Sequence, residues 1–202
     1  MKNIIIIIIS LLIVYAIYIF FFNKENDKNY EDSLALYRHE RANFFRNAPN
    51  SPFITQKVSF AYLDYYPINK DFRVKAAFKR NSDLDTLSLA TSTGTIDKFL
   101  IVGTATFQIQ NETQQLLVLE STLNKDGTLF IPFQDKTSGE TTYGGGRYLD
   151  ILAPEGNSVL LDFNKCYNPY CAYMDGYTCP FPPKENRLSV AIEAGEKEFP
   201  VY

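Results

Sequence analysis

Hydrophobic positions along this chain change their period twice. Ile4 to Phe22 is apolar throughout except for Ser10. At about 1.5 Å per helical residue, such a run matches a hydrocarbon core of about 30 Å. Phe20, Phe21 and Phe22 end it where a cleaved leader needs small residues, so residues 1–22 read as a signal anchor, a transmembrane helix that is retained. Lys2 and the amino terminus are cationic, whereas Lys24, Glu25, Asp27 and Lys28 cancel on the other side. The cationic side stays in the cytoplasm, which predicts a domain held on the extracytoplasmic side and contacting the bilayer through residues 4–22. Residues 23–29 read as a polar linker, and residues 30–202 as one exported β-rich domain with a sizeable core.

The next period is helical. Leu34, Tyr37, Phe44 and Phe45 fall on one stripe at 100° per residue, predicting a helix over about Asp32 to Arg46. Asp32 or Ser33 can cap its start. Arg41 lies in the middle of that stripe, which predicts a largely buried guanidinium held by a carboxylate or several carbonyls.

Beyond the helix the period is two. Phe72, Val74, Ala76 and Phe78 alternate with polar residues, as do Phe99, Ile101, Ala105, Phe107 and Ile109. Turn signals stand between the runs, at Asn111-Glu112, Asn124 to Gly127 and Pro154 to Asn157. Short connections force neighbouring strands to be antiparallel. The predicted fold is therefore mainly β: an antiparallel barrel or sandwich of about eight to ten strands carrying one N-terminal helix, preceded by the membrane helix.

Composition then narrows the chemistry. The net charge is −3 and no basic stripe is present, which excludes a nucleic-acid partner. A single histidine, His39, sits on the predicted helix away from every other candidate, which disfavours histidine-based catalysis. The cysteines lack the spacing of a zinc site, so no metal is expected.

Three motifs, TYGGGRYLD, DFNKCYNPYCAY and CPFPPKENRL, together resemble the domain-of-unknown-function family 1684. The helix motif YRHERANFF, Ser51-Pro52 and the closing AIEAGEK are similar to it as well, so the resemblance covers Tyr30 to Lys197. It implies no activity and no cofactor. Cys171 and Cys179 stand where the family pattern has cysteines, whereas Cys166 departs from it.

A candidate site lies in the same stretch. A tight hairpin at Pro154 to Asn157 would pair Leu152 with Val159 and set Leu149 opposite Asp162. That register groups Arg147, Asp162 and Asn164 on one face. Gly144-Gly145-Gly146 would leave room beside them for a ligand or a backbone. The proline-stiffened loop from Cys171 to Asn186 would cover them. Tyr143, Arg147, Asp162, Asn164, Asn168, Cys171, Glu185 and Asn186 are accordingly the expected ligand-binding residues. The arginine points to a small, anionic ligand. In an exported domain Cys171 and Cys179 are candidates for a disulfide; Cys166–Cys171 pairing and unpaired thiols are the alternatives. A ligand-binding module is the first functional reading. The others are a hydrolase-like or thiol-using enzyme and a structural or interaction domain of the cell envelope.

Overall fold

The computed structural model describes residues 2–123, 127–154 and 156–200, with the side chains of residues 1–8, 10, 16 and 20–24 outside that description. The chain divides into two compact units, residues 1–43 and 44–202. The first is helical: α1 runs without interruption over Lys2–Asn47, its last turn belonging to the second unit. The expected helix therefore starts far earlier than Asp32. Residues 23–29 contain neither proline nor glycine, so nothing breaks the helix there. Ser33 does not cap it; its Oγ donates back to Tyr30 O at 2.7 Å. Arg41 is half-buried rather than largely buried. Many side chains of the expected span Ile4–Phe22 lie outside the described set. Among the described residues, no helix is long and apolar enough to cross a membrane.

The second unit is a curled antiparallel sheet. Its strands are β1 (Arg73–Arg80), β2 (Thr86–Ala90), β3 (Ile96–Ile109), β4 (Glu112–Ser121), β5 (Leu129–Phe133), β6 (Arg147–Ile151) and β7 (Ser158–Asp162). They follow the order β6-β5-β4-β3-β1-β7, with β2 also pairing β3. The long β3 holds β4 along one edge and both β1 and β2 along the other. A bulge between Ile101 and Gly103 bends it, as an extra residue in one strand increases twist. Gly103 is required at that bend, because a Cβ there would stand 2.4 Å from Lys79 O. The period-two residues line one concave core: Ala76, Phe78, Ala105, Phe107, Val118 and Leu161 are all buried together.

Seven described strands form a half-barrel, fewer than the eight to ten expected. The difference lies after β7. Residues 163–200 carry Pro169, Pro180, Pro182, Pro183 and Pro200, which lack the N–H groups a ladder needs. This segment instead runs as a strap over the open side. Leu188, Val190, Ile192 and Ala194 of the strap enter the same core as the sheet. A separate aromatic cluster forms around Phe45, Phe53 and Tyr173, where Phe45 meets Tyr173 edge to face at 4.9 Å.

The hairpin expected between β6 and β7 is not formed. β6 pairs β5, setting Arg147 opposite Phe133, whereas β7 pairs β1, setting Asp162 opposite Arg73. The short connection after Ile151 links the two edges of a curled sheet instead of folding one strand onto the next. Those edges are bridged further along, where Tyr148 and Tyr167 exchange backbone hydrogen bonds of 2.9 and 3.0 Å. Arg147 is fully buried and reaches the strap. Its Nη2 donates to Asp135 Oδ2 at 2.9 Å and to Ile192 O at 2.8 Å. Its Nη1 donates to Ala194 O, and to Glu196 O at 3.0 Å. Replacing Arg147 by Met should cost about 3–5 kcal/mol, because Asp135 would remain as an uncompensated buried charge. Urea unfolding checks this; a loss under about 1 kcal/mol would show that the strap holds without the guanidinium.

Candidate functional site

The β5–β6 connection contains the glycine triplet. Gly146 N donates to Tyr143 O at 3.0 Å, closing a turn in which Gly146 adopts φ +92°. The space beside Gly145 and Gly146 is taken by protein rather than left for a ligand. A Cβ on Gly145 would stand 2.4 Å from Cε1 of Tyr143, and one on Gly146 would stand 2.6 Å from Phe133 O. The Tyr143 ring therefore folds back over Gly145, and its hydroxyl donates to Cys171 Sγ at 3.8 Å.

Cys171 lies in a single 3-10 turn, Tyr170–Ala172, that starts after Pro169. Cys179 precedes Pro180, and its backbone is fixed by the turn between β2 and β3. Ser92 N donates to Cys179 O at 2.9 Å, and Cys179 N donates to Ser92 Oγ at 3.1 Å. Tyr148 OH donates to Pro180 O at 2.7 Å, which holds the next residue. The two cysteines meet: Cys171 N donates to Cys179 Sγ at 3.2 Å. All three cysteines are free thiols, so the disulfide candidates Cys171–Cys179 and Cys166–Cys171 are unformed in this structure. Cys171 is half-buried, whereas Cys179 and Cys166 are buried.

This arrangement separates the thiols chemically. The Cys171 thiol is lowered to about 6, chiefly by the hydrogen bond from Cys179, with further help from Tyr143 and Ser92 against the cost of burial. Cys179 is pushed up, because its thiol proton is held on the Cys171 sulfur and because it is buried. Tyr143 is pushed up to about 12 by burial and by the negative charge of Cys171, so at neutral pH it is a hydrogen-bond donor. Burial chiefly pushes the Cys166 thiol up; Arg147 opposes it, and Asp135, Asp162 and Glu196 add to it. Low thiolate pKa combined with access defines a reactive cysteine. Cys171 has both properties; Cys166 has neither.

The eight expected site residues do not line one concavity. Tyr143 and Cys171 do meet. Arg147 is spent on Asp135 and the strap. Asp162 ion-pairs with Arg73 at 3.9 Å, and Asn164 exchanges hydrogen bonds of 2.9 and 2.8 Å with the backbone of Asn69. Asn168 donates through its backbone to Glu196 Oε2 at 3.0 Å and through Nδ2 to Lys197 O at 2.7 Å. Asn186 is fully buried between strands, accepting from Leu117 N at 2.7 Å and donating to Pro132 O at 2.9 Å. Glu185 is exposed and stands 4.0 Å from Lys184. Buried amides and charges need partners, and here the strap itself requires them. Sequence reasoning missed Ser92 and Asp135; Glu196 was visible as a carboxylate of the closing AIEAGEK motif.

An open groove of about 360 Å³ lies on the outer side of the triplet, lined by Gln134, Lys136, Ser138, Gly144 and Arg187 among others. Among the described residues, no group of three or more His, Cys, Asp or Glu could hold a metal ion.

The half-barrel is shared with a known structure. An uncharacterized protein of Haloarcula marismortui, determined in solution, is 34% identical and superposes with a TM-score of 0.65, covering 86% of this chain and 96% of that one. No curated protein matches the chain. Residues 58–197, which contain most of the strap, both cysteines of the site and Tyr143, match the family described as "Protein of unknown function (DUF1684)". The chain belongs to the DUF1684 family.

Proposed function

We propose that this chain is a thiol-using protein whose working group is Cys171. One observation carries the reading: a half-buried thiol accepts from the Tyr143 hydroxyl at 3.8 Å and stands against a buried second thiol, whose sulfur accepts from the Cys171 N–H at 3.2 Å. A sulfur so placed is ionised at neutral pH, and the thiolate is the nucleophile. The chemistry is attack on a soft electrophilic centre at the protein surface. Neither histidine nor metal is needed for it.

The pH dependence follows from the lowered thiol. Alkylation of the reduced protein by iodoacetamide should modify Cys171 first and rise through about pH 6, rather than near the ordinary 9.0. Replacing Tyr143 by Phe removes a donor to the thiolate and should move the midpoint upward. Peptide mapping after timed alkylation checks both. Reaction at Cys171 no faster than in the unfolded chain would remove the reading.

The location is proposed from the sequence. Ile4–Phe22 has the length and apolarity of a span, and Lys2 sets its cationic side inward. A tagged full-length protein should fractionate with membranes, and protease added outside spheroplasts should digest its domain. Protection of the domain in intact spheroplasts would refute an extracytoplasmic site.

The second reading is a binder of a small anion, favoured by the groove beside Gly144. Lys136 and Arg187 are exposed there, and the neighbouring Asp135 carboxylate is already paired with Arg147. Titration calorimetry with inorganic phosphate should show binding that weakens about tenfold or more when Arg187 becomes Met. Equal binding by the variant, or none by the native chain, would dismiss the groove.

A further inference from the structure

The second thiol has no role in simple nucleophilic attack, yet the fold spends several contacts on placing it. Cys179 is pinned on both sides of its peptide by Ser92 and followed by Pro180, which Tyr148 holds. Its sulfur faces the Cys171 backbone at 3.2 Å. Cys171 sits in one short turn without a side-chain cap, so the half-buried partner rests on the less constrained support. One accessible sulfur and one sheltered sulfur in contact is the arrangement that thiol–disulfide exchange requires.

Resting on the reading of Cys171 as the working thiol, we infer that Cys171 and Cys179 form an exchanging dithiol, with Cys171 attacking and Cys179 resolving. The substrate class is an accessible disulfide, R–S–S–R′. The Cys171 thiolate attacks one substrate sulfur. A Cys171–S–S–R bond forms, the substrate S–S bond breaks, and R′S⁻ leaves to take a proton from solvent. Cys179 then loses its proton and attacks Cys171 Sγ. The Cys171–Cys179 bond forms and RS⁻ leaves, taking up a proton. Two electrons pass from the protein dithiol to the substrate disulfide, with no further oxidant or reductant. The same steps run backwards against a more reducing dithiol, and relative potentials set the direction.

The geometry also times the second step. The leading cause that holds the proton on Cys179 is its interaction with Cys171. Once Cys171 is bound in the mixed disulfide, it no longer carries the charge that holds that proton. The Cys171 N–H remains directed at Cys179 Sγ, where it favours the thiolate. Formation of the mixed disulfide thereby prepares its own resolution. Cys166 is fully buried at the start of the strap and stays outside the cycle.

Equilibration of the full-length protein in buffers of reduced and oxidised glutathione tests this, with acid quenching, maleimide labelling and intact mass. The native chain should pass from dithiol to an intramolecular Cys171–Cys179 disulfide as the buffer becomes oxidising, and return when it is reversed. Cys179→Ser, or Cys179→Ala if the first is unstable, should stop as a glutathione mixed disulfide on Cys171. Cys171→Ser should form neither product at that position. If Cys171 alkylates as described but the native chain also stops at the mixed disulfide, the exchanging pair is wrong and the reactive-thiol reading stands. If the bridge forms but no glutathione ratio reopens it, it is a structural disulfide and the proposal falls. If Cys171 neither alkylates nor couples to glutathione, both fall together.

Discussion

A fully buried guanidinium is the constraint on which the β-rich domain depends. Arg147 has no exposed surface, so its charge must be met entirely by protein. Asp135 supplies the carboxylate, and Ile192, Ala194 and Glu196 supply carbonyls. Those carbonyls belong to a strap that has no ladder of its own. The arginine therefore ties an irregular chain to the half-barrel. Glu196 continues the same logic at the end of the strap, accepting from Asn168 N, Tyr65 OH and Tyr173 OH. Tyr173 in turn belongs to the aromatic cluster around Phe45 and Phe53. One ion pair and one buried carboxylate thus connect the sheet, the strap and the aromatic layer.

The thiol pair borrows its precision from that frame. Cys171 and Cys179 lie in the loop between Asn168, which the strap holds, and Asn186, which is locked between β4 and β5. Ser92 clamps the loop from a third direction, the turn after β2. Tyr143 arrives from a fourth, the β5–β6 connection, and can lie over the backbone only because Gly145 has no Cβ. Four separate chain segments meet at two sulfurs. A site built on such supports is better positioned than one on a free loop.

The asymmetry of the pair is a consequence of burial and proton sharing rather than of a neighbouring cation. The strongest influences that lower Cys171 are hydrogen bonds, from Cys179, Tyr143 and Ser92. Its sulfur is stabilised by neutral donors, which are shorter-ranged than a cation and less sensitive to salt. Those donors change when the Cys171 charge is consumed, so the local balance depends on the chemical state of the sulfur itself.

Much of the fold was legible because alternation is local. A period of two at Ala76, Phe78, Ala105 and Phe107 specifies which side chains enter a core wherever the strands lie. The motifs around Tyr143, Arg147 and Cys171 identified the family for the same reason: they are contiguous in sequence. Strand partnership was not local. A short connection after Ile151 is compatible with a hairpin and with a link between the edges of a curled sheet, and the pairing of β6 with β5 and of β7 with β1 selects the second. Arg147 was recognisable as a polar residue on a strand face, but its partner Asp135 and the strap carbonyls converge on it only after the half-barrel closes. The two cysteines were visible as a pair of residue types in one loop. Which of them is sheltered and which carries the charge was decided by tertiary structure, because burial and the reach of Ser92 and Tyr143 exist only once distant segments are packed together.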